Sequence, residues 1–384
     1  MNILLLFSHR WRAGRAGGAE THVSDLIRDL SRRGHEIVIA TDAVESGSPS
    51  KTSDVVAHYE LPFKTINPFA TIRVYRSLEE IVAQHRTEII HAHHRTAGYY
   101  AEHIYRNLQV PYVVTVHDPW RSTPLKQLHG TIFRHLIAVS DFIKQVLVLQ
   151  FHIPPERVKT IYNGVDPVRF EKVDPESARQ FRKTYGVKQG EVVISLIGRV
   201  SKAKGHYDLV RALKSLPKSL NYRSLIIGEG KERKNLERMI RAEALGEKLT
   251  FCGYQSNIPV AMAASDVVLL PSYREPFGLT IVQAMLSHKP VIASNAGGIP
   301  EIITHGADGI LFPAGDVPAL AANIARLVSD QELRFRLGEE GYKTAVKRFL
   351  LARMIDETER HYSEIIQATK GAGKGSFVAP VNWA

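Results

Sequence analysis

A single cysteine, Cys252, stands in 384 residues. No internal disulfide can form, and a reducing compartment is the expectation. Uninterrupted apolar runs of membrane-spanning length are missing as well. The opening Met1-Asn-Ile-Leu-Leu-Leu-Phe7 meets Ser8-His9-Arg10 too soon for a signal core, so it reads as a first buried strand and the chain as cytoplasmic. The net charge of +11 is shared between the two halves without a basic tail or an aromatic-basic repeat, which argues against a nucleic-acid partner. An anionic small substrate, or peripheral contact with an anionic membrane at its inner face, stays open. No G-x-G-x-x-G and no P-loop spacing follows any strand, so the best evidence for an NAD-linked oxidoreductase or a P-loop enzyme is lacking. Asp-x-Asp is absent throughout. A carboxylate pair that commonly holds a divalent ion under a diphosphate is therefore missing. Any diphosphate must be neutralised by side chains and helix ends, with no metal cofactor.

What is present alternates. Short β-branched or Leu-rich runs end in Gly, Ser, Asp or His, and segments of helical periodicity follow them. One series of six strands runs from Asn2–Phe7 through Glu88–His91 and Tyr112–Val116 to Val158–Ile161. A second runs from Val192–Ile197 through Val267–Leu270 to Gly309–Phe312. Two successive β-α sets predict an α/β chain of two Rossmann-like, doubly wound parallel-sheet domains, with ligands beyond the carboxyl ends of the strands in a cleft between facing domains. The break falls in the polar stretch 170–189. The domains are expected at 1–175 and 176–348, with 349–384 a closing helix free to return to the first domain and a loose Gly/Lys-rich tail.

The stretch "EPFGLTIVQAM" sets Glu275 ahead of a Pro and Gly turn and an amide, Gln283, inside an apolar helical run. With a helix starting near Gly278, Leu279, Val282 and Leu286 form one stripe while Thr280, Gln283 and Ser287 form another. Glu275 then precedes a helix N-terminus whose free N–H groups suit an anionic or hydroxyl-rich ligand. A surface carboxylate complementing the helix dipole is the plainer reading. In "AGGAETH", Gly17 and Gly18 either let backbone approach a phosphate or simply make a strand-to-helix turn. "HAHH" puts His91 and His93 on one face at a strand's end. A metal reading of it lacks any carboxylate partner at helical spacing. "TVHD" supplies His117 in the same way, as a cleft residue or as a satisfied hydrogen-bonding one. In "GRVSKAKG", Arg199 and Lys204 share one loop, where a planar fork and a point charge can reach one small anion. "GGIPEII" places Gly297, Gly298 and Glu301 in a turn of similar character.

Taken in order, "GGAETH", "HAHH", "TVHD", "AVSDFIK", "IYNGVDPVRF", "GRVSKAKG", "IIGEG", "EPFGLTIVQAM" and "GGIPEII" resemble glycosyltransferase family 4, of the GT-B fold, over nearly the whole chain. The resemblance implies a hexosyl-type transferase of class EC 2.4 that retains anomeric configuration and needs no metal. Its donor would be a nucleotide-diphospho-sugar, a UDP-sugar before a GDP-sugar. The acceptor would be a cell-envelope glycan, a glycolipid or a small molecule, bound by the N-terminal domain. It further implies that Arg199 and Lys204 clamp the diphosphate, helped by backbone N–H groups at Gly17, Gly18, Phe277, Gly278 and Leu279. Glu275 would hold sugar hydroxyls and His117 the sugar or the developing positive charge, the two catalytic positions. The family pattern usually carries a second glutamate where this chain has Gln283, read as the ribose contact. An amide keeps one acceptor but loses the charge. A non-catalytic, nucleotide-sugar-binding descendant is the alternative, and an epimerase or phosphorylase of the same fold a third reading.

Overall fold

The computed structural model describes residues 1–11, 17–44, 54–120 and 132–371, so the tail beyond them, expected to be loose, lies outside the described residues. The chain divides into two compact units. The first comprises Met1–Val139, Ile143–Ile161 and the chain from Ile355 on; the second comprises Ser140–Phe142 and Tyr162–Met354. The sequence puts the first boundary later, at 175. The stretch from Tyr162 belongs to the second unit because Val165 is bonded into it: its N–H donates to Phe349 O and its carbonyl accepts from Leu351 N–H, both at 2.9 Å. The last helix, Leu351–Gly371, starts in the second unit and from Ile355 belongs to the first.

The first unit is built on seven parallel strands, β1 (Asn2–Trp11), β2 (Glu36–Val44), β3 (Ala57–Glu60), β4 (Ile89–His93), β5 (Tyr112–Val116), β6 (Leu136–Ala138) and β7 (Val158–Thr160), in the order β3-β2-β1-β4-β5-β6-β7. In β1, Leu5 lies between Ile39 of β2 and His91 of β4. Ile3 to Phe7 are almost fully buried. That accounts for a run that is apolar throughout rather than alternating, since both faces of a parallel sheet are covered. The strand pattern of the sequence does not reveal β3. Its "AHYE" has no buried residue, as suits a short edge strand.

The second unit repeats the plan with six parallel strands, β8 (Val192–Ile197), β9 (Tyr222–Ile227), β10 (Leu249–Gly253), β11 (Val267–Leu270), β12 (Val291–Ser294) and β13 (Ile310–Phe312), ordered β10-β9-β8-β11-β12-β13. Leu196, Leu209, Leu236, Leu269, Ile292 and Leu320 belong to one core. In each sheet the strand order reverses once, at β1/β4 and at β8/β11. Adjacent loops at such a switch point run to opposite faces and leave a crevice at the carboxyl ends of the strands. No described helix is long and apolar enough to cross a membrane.

Strand β4 runs two residues past the expected end at His91. All five of its residues are buried, and His93 still pairs with Phe7 on one side and Thr115 on the other. His91 is thus an interior residue. Its Nδ1 is bonded to the Tyr362 hydroxyl at 2.5 Å and its Nε2 to Thr115 Oγ1 at 2.6 Å. Burial holds His91 well below the usual histidine range and Tyr362 well above the usual tyrosine range, so both stay neutral. This bond ties the closing helix to the sheet. Tyr362→Phe leaves a buried ring nitrogen without a partner, a loss of about 1–3 kcal/mol. A lower thermal midpoint in the phenylalanine variant, with unchanged far-ultraviolet circular dichroism, is the expected result.

Candidate active site

Strand β8 ends at Ile197 and delivers Gly198, exposed Arg199 and a short 3-10 turn, Lys202–Lys204, before the helix His206–Ser215. Strand β11 ends at Leu270 and delivers Ser272, Glu275 and the helix Leu279–Leu286. The two loops are packed backbone on backbone. Tyr273 N–H donates to Ala203 O at 2.9 Å. A Cβ on Gly205, whose φ is +71°, would stand 1.9 Å from Pro271 O.

Across this seam Lys204 Nζ donates to Glu275 Oε2 at 2.5 Å, with Ser272 Oγ 3.4 Å from the same oxygen. The side chains are only 26% and 10% exposed. Two residues assigned from sequence to different parts of a ligand thus face each other directly. Arg199 on the same loop makes no ion pair among the described residues. The carbonyl of Glu275 accepts from Gly298 N–H at 2.9 Å, which brings the turn after β12 against it.

The helix Leu279–Leu286 begins at Gly278, a left-handed cap with φ of +118° and no side-chain capping bond. Among the described residues the N–H groups of Phe277, Gly278 and Leu279 donate to nothing, as the first amides of a helix do when no cap is present. Val282 and Leu286 are buried, and Thr280, Gln283 and Ser287 are each half-buried. The two stripes exist, but Ile281, Ala284 and Met285 are buried too. One narrow polar line, rather than a whole face, looks out. The Gln283 side chain has no hydrogen-bond partner among the described residues. Glu301, in the "GGIPEII" motif, accepts from Asp141 N–H at 2.7 Å and Phe142 N–H at 2.6 Å. It thereby satisfies two backbone amides of the "AVSDFIK" motif within the second unit, a structural reason for both motifs.

In the first unit, Gly17 caps the helix Gly18–Arg32 in extended conformation with φ of −80°. The paired glycines are therefore not there for a left-handed turn. The second turn of that helix carries His22, which lies against His93 and His117, at the carboxyl ends of β4 and β5: ring centroids are 5.6 Å and 4.9 Å from His22. His93 Nδ1 is 3.0 Å from His117 Nε2, and the two rings stack. Burial first, then the neighbouring histidines, push His93 well below its ordinary range. His22 and His93 were not assigned from sequence. Positions 22, 93 and 117 sit on three elements; His93 and His117 share a place at or just after a strand's carboxyl end, whereas His22 lies within a helix and carries no such signal.

Two family profiles match the chain in succession, "Glycosyltransferase Family 4" over residues 16–169 and "Glycosyl transferases group 1" over residues 177–344. The chain is a family 4 glycosyltransferase. Relatives of this glycosyltransferase include N-acetyl-alpha-D-glucosaminyl L-malate synthase of Bacillus anthracis, 26% identical over 376 residues, 92% of this chain and 96% of that one. Alpha-D-kanosaminyltransferase of Streptomyces kanamyceticus is 28% identical over 303 residues, covering 72% and 77%. A solved glycosyltransferase from Rickettsia africae superposes with a TM-score of 0.86 at 24% identity, over 98% of this chain and 99% of that one. Anabaena HepE, solved with UDP and glucose, gives 0.83 at 23% identity over 95% and 100%. The fold is the expected GT-B type, with two Rossmann-like domains.

Glu275 depends on the glycine turn behind it. A Cβ on Gly297, whose φ is +60°, would stand 2.1 Å from Glu275 O. Gly297→Ala should displace the carboxylate, and ångström-scale misplacement of a positioning group costs on the order of 100-fold in rate. Transfer assays on the folded variant check this; a rate within twofold of the parent would show that Glu275 tolerates the shift.

Proposed function

We propose that this glycosyltransferase moves a hexosyl group from a nucleotide-diphospho-sugar, a UDP-sugar before a GDP-sugar, to a cell-envelope glycan, glycolipid or small acceptor, with retention and without a metal cofactor. The Lys204–Glu275 pair, just ahead of a helix with free N-terminal amides, carries the reading. An arriving diphosphate offers Lys204 a more highly charged acceptor than one carboxylate. Lys204 turns to it, and Glu275 is released to accept hydrogen bonds from sugar hydroxyls. Exposed Arg199 supplies a second charge, and the amides of Phe277, Gly278 and Leu279 accommodate phosphate oxygens. Gly17 and Gly18 open a further helix N-terminus in the acceptor-side domain. Gln283 accepts from ribose hydroxyls, and His117 meets the sugar.

The sugar C1–O bond breaks with its electron pair left on the departing phosphate oxygen. The acceptor hydroxyl oxygen bonds to C1 on the same face, and its proton passes to that phosphate. No protein base is needed, and preorganised cations stabilise the leaving charge. In support, Anabaena HepE has been solved with UDP and with UDP-glucose, and a Mycobacterium marinum relative is named D-inositol 3-phosphate glycosyltransferase. Work on an acceptor at the inner face of an anionic membrane is supported by exposed Ile66, Phe69 and Ile72 beside exposed Lys64, Arg73 and Arg76.

Arg199→Ala and Lys204→Ala should each lower kcat/KM for the donor by about 10- to 100-fold, since charge-assisted hydrogen bonds contribute about 1.5–3 kcal/mol. Steady-state rates in a UDP-sugar transfer assay test it. Parent rates in both variants would remove the diphosphate assignment.

The ribose role separates in the same assay. Gln283→Ala should raise the donor KM by about 2- to 10-fold, the effect of one neutral hydrogen bond, with little change in acceptor KM. Gln283→Glu should hold or lower the donor KM because a carboxylate accepts better from hydroxyls. An alanine variant with parental donor KM and kcat would make Gln283 a bystander.

A further inference from the structure

The sugar transfer proposed above uses His117 but gives no task to His22 or His93. The three are nevertheless gathered from separate rigid elements: His22 from the helix Gly18–Arg32, His93 from β4 and the residue after β5, His117. They are 6%, 0% and 8% exposed. One ring nitrogen from each lies within 4.8 Å of the others. Four-coordinate zinc with Zn–N bonds of about 2.0–2.1 Å needs its nitrogens a little over 3 Å apart. His93 Nδ1 and His117 Nε2, at 3.0 Å, are already near that spacing.

A second observation is independent of the spacing. His93 uses only Nδ1, toward His117, while its Nε2 is buried with no hydrogen-bond partner, whereas a satisfied core histidine engages both nitrogens. Behind it, His91 lies against the His93 ring with centroids 4.1 Å apart, itself fixed by Tyr362 and Thr115. The His93 ring is thus held between His91 and His117 by packing. The cluster contributes imidazole nitrogen and neither thiolate nor carboxylate. That donor set suits zinc, cobalt, nickel or copper and discriminates against magnesium, calcium and manganese.

We propose that His22, His93 and His117 bind one borderline transition-metal cation, and that the bound ion blocks transfer rather than serving it. Binding exchanges the His93–His117 hydrogen bond for metal–nitrogen bonds, each neutral ring keeping its proton on the nitrogen that does not ligate. A fourth position is left for water. A ligated His117 cannot turn to the donor sugar, so occupancy and transfer exclude one another. The blocking effect rests on the proposed role of His117; the binding site does not.

The full-length protein, stripped with EDTA and freed of chelator, is titrated with Co2+ by visible absorption and with Zn2+ in competition with a chromogenic chelator. One equivalent at micromolar affinity or tighter is expected, with no response to Mg2+. His93→Gln and His22→Asn, each confirmed folded by circular dichroism, should weaken binding at least tenfold. Micromolar Zn2+ should inhibit transfer by the parent, EDTA should restore it, and His93→Gln should escape inhibition. No saturable equivalent in the parent, or parental affinity in both variants, overturns the site. Full occupancy with undiminished transfer overturns the blocking role and the placement of His117 at the sugar, and leaves the metal site standing. Loss of transfer in EDTA alone would overturn the metal-free reaction instead.

Discussion

A nearly buried carboxylate facing a lysine is the constraint around which the second unit is arranged. Glu275 at 10% side-chain exposure would suffer a large desolvation penalty as a lone anion. Lys204, 71 residues away in sequence, meets it at 2.5 Å. The pair exists because the loops after β8 and β11 interlock through their backbones, which requires glycine at 205, and because the turn after β12 packs on Glu275, which requires glycine at 297; at either place a side chain would strike a carbonyl oxygen. Parallel strands place both loops at one end of the sheet, the strand order reverses between them, and the helix Leu279–Leu286 opens its amides beside them. In the proposed reaction, this pairing of opposite charges lets the chain keep a phosphate-binding and a sugar-binding group ready together, each neutralising the other until a ligand separates them.

The first unit solves its electrostatics by neutrality. His91 and His93 are fully buried, and burial pushes both well below the ordinary histidine range. In the proposed reaction this difference between the units has a chemical sense. Negative charge grows on the departing diphosphate, where lysine and arginine stabilise it. Positive charge grows on the sugar ring, where an imidazolium would oppose it and a neutral imidazole does not. His117, hydrogen-bonded to a neutral His93, is therefore better suited to orient the sugar than to protonate it.

Much of this was legible in the sequence because the signals are local. β-α alternation gives two parallel sheets, and the Leu and Ile run of β1 gives a strand covered on both faces. The spacing of Thr280, Gln283 and Ser287 gives the outward line of a helix whose cap, Gly278, stands where expected. What escaped is what depends on distant residues. β3 has no buried residue to give it an alternating pattern. β4 runs on through His93 because neighbours on both sides continue its ladder. The histidine cluster joins "GGAETH", "HAHH" and "TVHD", three motifs whose meeting is a product of the fold; read one at a time, "HAHH" offers two same-face rings and no third ligand. The partnership of Lys204 with Glu275 escaped for the same reason, although each was singled out alone.

The substitution at 283 is clearest from the empty protein. The helix is buried on most sides, and the side chain at 283 is half-buried with no hydrogen-bond partner among the described residues. Glu275, by contrast, faces Lys204 at 2.5 Å. In the proposed ribose role, a glutamate at 283, the residue of the family pattern, would be a partly desolvated anion before ribose hydroxyls arrived, so its better acceptor strength would be offset in the unliganded state. In that proposed role an amide gives up part of the attraction for ribose and avoids the cost of a partly desolvated charge. In a domain that already carries one largely buried carboxylate at the mouth of the same helix, glutamine avoids placing a second partly desolvated charge on it.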